Sequence, residues 1–182
     1  MALRNANKPI SIPKGIKVQF TNNEFQADNG KNKLTRAVHS DVNITINDAD
    51  STLTVTAAEN ANLKTLNAHL GTTCSHVKNM FTGLSEGYKK ELIIFGTGYK
   101  GKLNGRNLVL SLGYSHDVPC VVPDAITIDM PSQTEINLQS YCKDSLGQFT
   151  DYLLRVRKLC RYKGKGIRDK AKVFVAKDVR KS

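Results

Sequence analysis

The sequence predicts an α+β protein made of two similar small domains, each a mostly antiparallel sheet covered by one helix. Three observations predict it. Short runs alternate polar and apolar residues at period two, as half-buried strands do. Two longer stretches instead repeat apolar residues at spacings of three and four, the mark of a helix with one buried face. The order strands-then-helix occurs twice, as an internal duplication would produce.

In the first half, Pro9 and Pro13 bracket an irregular opening. GIKVQF, EFQADNG and KLTRAV then read as short strands, separated by Asn22-Asn23 and Asn29-Gly30, natural hairpin residues. DVNITIND and TLTVTA follow, alternating and rich in β-branched residues. After Asn60 the period changes. Leu63, Leu66, Leu70, Cys74, Val77, Phe81 and Leu84 form one apolar stripe on a helix of about six turns. Asn60 suits its N-cap and Gly83 a left-handed end. Lys64, Asn67, Thr72, Thr73, Ser75, His76, Lys78 and Asn79 are assigned to the opposite face.

In the second half, YKKELIIF, LVLSLGY, PCVV, AITIDM and EINLQS read as strands. A second helix begins near Asp144, with Asp144 or Ser145 as cap. Its stripe is Leu146, Phe149, Leu153, Val156 and Cys160. The halves share a faint layout: HSDVNITIND, TLTVTA and a helix, against SHDVPCVVPDAITID, INLQS and a helix. The break is expected near Thr82–Gly87, giving domains 1–82 and 83–182.

The 182 residues carry a net charge of +11 and a pI near 9.6. The charge is unevenly spread. Residues 155–182 hold twelve Lys/Arg against two Asp, a net of +10, and residues 1–154 contribute only +1. A basic block of this kind points to a polyanion as partner. The four cysteines are scattered without a C-x-x-C pair, which reads as free thiols in a reducing cytosol. No run approaches the roughly 18 apolar residues of a membrane span. The opening MALRNANKPISIPKG is too short and too rich in Pro and Gly for an amphipathic transit helix.

GTGYKG, Gly96 to Gly101, matches G-x-G-x-x-G letter for letter. A dinucleotide loop must open a helix, so that the pyrophosphate sits on the helix N-terminus. Here KLNGRNLVLSLGY follows, with an Asn104-Gly105 turn and then a strand pattern. The expectation is β-turn-β, with Asp117 in a loop and no cofactor. Cys74-x-His76 lacks the second ligand pair a structural zinc requires, so no metal is expected. His39, His69, His76 and His116 come with no nucleophile elbow or paired-carboxylate motif, so no enzyme and no small-molecule substrate are expected.

The C-terminal run RVRKLCRYKGKGIRDKAKVFVAKDVRKS is the most informative part. Arg155 and Lys158 fall on the polar face of the second helix, and Arg157 beside its apolar stripe. In Tyr162-Lys163-Gly164-Lys165-Gly166-Ile167-Arg168 the glycines let backbone approach a surface closely. Lysines between them reach phosphates, and an arginine forks two phosphate oxygens. Arg161, Lys170 and Lys172 extend the same run. Ile167, Val173, Phe174 and Val175 are expected to pin part of the arm to the body.

Seven stretches, in order, resemble the bacterial form of the L6 family of large-subunit ribosomal proteins. They are KPISIP, Gly71-Thr72-Thr73 through Asn79-Met80, Gly83 with Gly87, Gly96-Thr97-Gly98-Tyr99, Leu112-Gly113-Tyr114-Ser115-His116, Gly147-Gln148 and the Tyr162–Arg168 signature. The resemblance implies two domains of one fold and no catalysis. It also implies binding to large-subunit rRNA near the sarcin–ricin loop and the base of the factor-recruiting stalk. Expected partners are that rRNA, neighbouring ribosomal proteins and translation factors, on a cytoplasmic ribosome and away from membranes. Carried onto this chain, the RNA contacts fall on Tyr162, Lys163, Lys165 and Arg168. Arg155, Arg157 and Lys158 on the preceding helix join them by proximity, with Tyr114, Ser115 and His116 from the Leu-Gly-Tyr-Ser-His motif. The sequence departs from the family where Leu159, Cys160 and Arg161 replace a usual Pro-Glu-Pro, and where Asp169 stands in a place commonly aromatic.

Overall fold

The computed structural model describes residues 9–47, 50–58 and 65–177. The chain divides into two compact units, Met1–Gly87 and Tyr88–Ser182.

The first unit holds β1 (Ile10–Ser11), β2 (Lys17–Thr21), β3 (Glu24–Asp28), β4 (Lys33–Ala37), β5 (Val42–Asn47), β6 (Thr52–Ala57) and α1 (Leu66–Ser85). They form two antiparallel sheets, β2-β3-β4 and β1-β6-β5. Asn22 and Asn23 turn the β2–β3 hairpin with positive φ at both, as a two-residue hairpin turn demands. Alternate residues of β3, β5 and β6 point inward, including Phe25, Ala27, Val42, Ile44, Leu53 and Val55. They meet the α1 stripe of Leu66, Leu70, Cys74, Val77, Met80, Phe81 and Leu84. Each large side chain buried there contributes about 1.5–3 kcal/mol.

The second unit holds β7 (Tyr88–Phe95), β8 (Lys100–Asn104), β9 (Asn107–Ser111), β10 (Val118–Val121), β11 (Ile126–Ser132), β12 (Glu135–Ser140), α2 (Lys143–Val156) and β13 (Gly166–Asp169). Its antiparallel sheets are β10-β9-β8 and β11-β12-β7-β13. The duplication is visible in the strand orders: β1-β6-β5 corresponds to β7-β12-β11, and β2-β3-β4 to β8-β9-β10. The counterpart of β5 is therefore β11. The stretch DVPCVVPDAITID, read beside DVNITIND, is two strands, β10 and β11, in different sheets. Strand β13 has no counterpart among the described residues of the first unit.

GTGYKG opens no helix. Strand β7 ends at Phe95, a turn follows, and β8 runs on to the Asn104-Gly105 turn. The fold is β-turn-β, and a pyrophosphate has no helix N-terminus to sit on.

The helix ends differ from expectation. Asn60 and Leu63 lie outside the described residues; α1 begins at Leu66, and Thr65 before it makes no side-chain cap. Gly83 is a buried interior residue of α1, because Leu84 continues the apolar stripe into the core. Gly87 supplies the left-handed end instead, at φ 73, with its N–H donating to Gly83 O at 3.1 Å. Thr73, assigned to the polar face, is buried. Helix α2 is preceded by an extended Cys142, so Asp144 sits inside the first turn, where its charge suits the helix dipole. Ser140 steadies this start by accepting the Cys142 N–H at 3.1 Å and donating to Ala125 O at 2.7 Å. The helix stops at Val156, so Lys158 and Cys160, read as helical, lie beyond it.

None of the four cysteines is in a disulfide, and burial pushes the thiols of Cys74 and Cys120 above their ordinary range. Among the described residues no helix is long and apolar enough to cross a membrane.

Candidate nucleic-acid interface

Residues 157–165 of the basic run are folded onto the second unit as a loop between α2 and β13. Arg157 is already extended, at φ −139 and ψ 97. Its carbonyl accepts the Ile167 N–H at 3.2 Å. Further out, Cys160 N–H donates to Lys165 O and Gly164 N–H to Cys160 O, each at 2.8 Å. These bonds double the chain back so that β13 can pair with β7, Ile167 opposite Ile94 and Arg168 opposite Ile93. Ile167 is buried at the base of the loop.

The signature glycines serve this doubling back. Gly166 has φ 137, and a β-carbon there would lie 2.9 Å from both Leu159 Cα and Lys158 O. Gly164 takes the Phe174 ring at similar range. The close approach is thus to the protein's own backbone and core. Phe174 is half-buried, but Val173 and Val175, expected to pin the arm, are 92% and 80% exposed. The Lys177 N–H bond to Arg161 O, at 3.0 Å, helps hold the tail in their place.

At the root of the loop two motifs converge on Arg157. The Tyr99 ring fills a slot that β-carbons on Gly96 and Gly113 would close, since they would lie 2.7 and 2.9 Å from its atoms. Arg157 stacks over Tyr114, 4.8 Å from the ring centroid, and over Tyr99 at 5.9 Å. Hydrogen bonding to Tyr114, then to Tyr99, raises the arginine's pKa further above its ordinary value. The Tyr114 hydroxyl donates to Val156 O at 2.9 Å and so caps the last turn of α2. Gly-Thr-Gly-Tyr and Leu-Gly-Tyr-Ser-His are two sides of one mount that aims Arg157.

A cleft of about 430 Å³ beside this mount is lined by Tyr99, Tyr114, Arg155, Arg157, Lys158, Cys160, Lys163 and Lys165. A second groove, of about 500 Å³, runs along Leu154, Leu159, Ile167, Val173 and Phe174, with Arg155, Lys158, Arg168 and Lys172 among its polar lining. Arg155 and Lys158 line both and form the ridge between them. Arg168 lies over the Phe95 and Phe174 rings at 5.3 and 5.9 Å.

Other candidates stand apart from the clefts. Arg161 and Tyr162 are exposed at the loop tip. Ser115 and His116 are exposed in a loop that Ser111 tethers by donating to Asp117 Oδ1 at 2.6 Å. Lys170 is turned to the sheet, with its ammonium 3.1 Å from Glu91 and 3.8 Å from Glu135. Arg155 pairs with Asp151 at 2.7 Å. Lys163 and Lys165 are exposed and make no ion pair among the described residues.

Three features escaped sequence reasoning. Tyr99 was legible only as part of a glycine turn. Cys160 stands exposed in the basic cleft, its thiol held below its ordinary range first by the Lys163 and Tyr162 backbone N–H groups. Asp169 is 6% exposed and accepts from Lys90 Nζ at 2.9 Å and from Ala171 N–H at 3.0 Å. Burial alone would raise its pKa, but these donors outweigh burial and hold the carboxyl below its usual value.

Two repeats of the chain, residues 12–87 and 95–170, match the model of a family described as ribosomal protein L6. The chain belongs to the ribosomal protein L6 family. The two matched segments fall one in each compact unit. Curated relatives extend over nearly the whole length. The large ribosomal subunit protein uL6 of Nitrosococcus oceani is 38% identical over 179 residues, 98% of each chain. That of Cellvibrio japonicus is 36% identical over 178 residues, and that of Neisseria gonorrhoeae 38% over 179, again 98% of each chain. The family is one of structural ribosomal components and not of enzymes.

Proposed function

We propose that this chain is a structural constituent of the large ribosomal subunit that grips large-subunit rRNA with the α2–β13 loop. The observation that carries the reading is the gathering of Arg155, Arg157, Lys158, Lys163 and Lys165 around one cleft, with tyrosine rings at its root. Such a surface suits A-form RNA, whose deep major groove hides the bases and leaves phosphates, 2′-hydroxyls and shape to be recognised. Arg161, Tyr162 and Arg168 widen the contact. Tyr114 acts through Arg157, while Ser115 and His116 offer hydrogen bonds from the neighbouring loop. Lys172 lies beside the second groove. Lys170 contributes least, because it is already paired with Glu91. The RNA segment is the sarcin–ricin region and the base of the factor-recruiting stalk, supported by the resemblance of the Tyr162–Arg168 signature to the family's own. Neighbouring ribosomal proteins and translation factors are the further partners there, on a cytoplasmic ribosome.

The test is binding of the full chain to large-subunit rRNA across a salt series, alongside sedimentation with large subunits. The wild type is expected to co-sediment. Reversing charge at Lys163, Lys165 and Arg168 should abolish rRNA association with melting of the fold preserved. Reversing Lys163 and Lys165 alone should flatten the slope of log K against log salt by about two. Unchanged binding of the triple variant at moderate salt would overturn the site assignment.

A further inference from the structure

The first unit brings together three metal-ligating side chains that neither motif spacing nor the ribosomal reading uses. We propose that His39, Asp41 and His69 form a binding site for a divalent transition-metal ion, zinc foremost.

His39 and Asp41 sit in the turn between β4 and β5. The backbone of that turn is fixed: Val42 N–H donates to His39 O at 3.0 Å and Ala58 N–H to Asp41 O at 2.9 Å. His69 stands in the first turn of α1, with Leu66 and Leu70 beside it buried in the core. The two imidazoles stack face to face, with centroids 3.9 Å apart and planes 9° from parallel. Asp41 Oδ2 lies 3.6 Å from His39 Nδ1. One ligand atom from each residue falls within 4.8 Å of the other two. Tetrahedral zinc with bonds of about 2.0–2.1 Å sets its ligand atoms about 3.3 Å apart, so small side-chain rotations close the site.

The donor set chooses the metal. Two imidazole nitrogens and one carboxylate suit zinc, nickel or copper, whereas calcium and magnesium take oxygen ligands. His39 is exposed and Asp41 and His69 are half-buried, so an ion has access and water fills the remaining position. The Asp41 N–H that now reaches His39 Nδ1 is a long bond, at 3.3 Å, and metal coordination replaces it readily. Once bound, the ion ties the β4–β5 turn to the start of α1 and braces the helix on its sheet.

The experiment titrates metal-free full-length protein with zinc by calorimetry and with cobalt by absorption spectroscopy. One equivalent is expected to bind, with cobalt bands of nitrogen–oxygen character and no thiolate charge transfer. His39→Ala and His69→Ala should each weaken binding at least tenfold, with unchanged melting of the metal-free protein. Asp41→Asn should weaken it less, and His76→Ala, on the same helix, should leave it intact. Zinc should raise the melting temperature of the wild type and not of His69→Ala. Absence of binding, a thiolate-dominated cobalt spectrum, or affinity indifferent to both histidine substitutions would overturn the proposal.

Discussion

Gly166→Ala puts the arm's architecture under direct test. The residue sits at φ 137, where an L-residue carries strain of about 1–3 kcal/mol. The added methyl would also lie 2.9 Å from Leu159 Cα and Lys158 O and 3.1 Å from Arg157 O. All three are backbone atoms and cannot swing aside as a side chain would. Relief requires β13 to shift, which weakens the ladder bonds to β7 that follow from the Gly166–Phe95 pairing, worth about 1 kcal/mol net each. Together these effects remove about 2–4 kcal/mol from the local stability of the loop, or about a thirty- to several-hundredfold rise in amide exchange. Hydrogen exchange read by mass spectrometry should show the rise across 157–169, with the α1 core of the first unit unchanged. Affinity for large-subunit rRNA should fall with it, because the basic groups remain but lose their fixed spacing. Unaltered protection at Ile167 and Arg168, with full rRNA affinity, would refute the idea that the glycine shapes the binding surface.

Three further outcomes are expected. Arg157→Ala should lose about tenfold in rRNA affinity, whereas Arg157→Lys should keep the salt dependence and recover only part of the affinity, because an ammonium cannot lie flat between Tyr99 and Tyr114; filter binding at two salt concentrations reads both. Tyr114→Phe removes the bond to Val156 O and should cost about 0.5–1 kcal/mol of stability, measured by urea unfolding, with rRNA affinity falling by less than Arg157→Ala. Asp169→Asn strips the charge that Lys90 pairs. The folded carboxyl titrates below its unfolded value of about 3.9, so its contribution is complete above that pH and disappears as pH falls through the folded pKa. The variant should therefore be less stable than wild type at pH 7, modestly so because Lys90 is half-exposed, and the difference should shrink as pH falls through the lowered folded pKa.

Much of the fold was legible because period-two and three-four patterns report a single buried face. Phe25, Ile44, Val55, Leu70 and Phe81 all turned inward as their spacing required. The duplication was legible as an order of elements, but not as residue correspondences, since two copies that diverge keep burial and lose letters. Strands β8 and β13 were hidden by composition: Lys100–Asn104 and Gly166–Asp169 carry glycine and charge where a strand usually advertises itself by branched residues. β13 forms because β7 offers it a partner, and that partner lies at the other end of the unit. The helix ends failed for a related reason. Gly83 looked like a terminator, yet Leu84 had core to fill. The basic residues of the loop were plain from charge density, but their sorting was not. Only pairing geometry separates Lys170, bound to Glu91, from Lys163 and Lys165. The His39–Asp41–His69 cluster was invisible for the same reason, being assembled across a turn and a helix rather than along the chain.

The pairing of β13 with β7 also governs when the molecule becomes sticky. The loop takes its form only after the first and last strands of the unit have met, a late event for a chain that must close so long a circuit. Until then the lysines and arginines are strung on a slack filament with no set pitch. On the proposed reading, a copy whose sheet is unfinished offers the same charges without fixed spacing, and selectivity for RNA arrives with the strand pairing that completes the sheet.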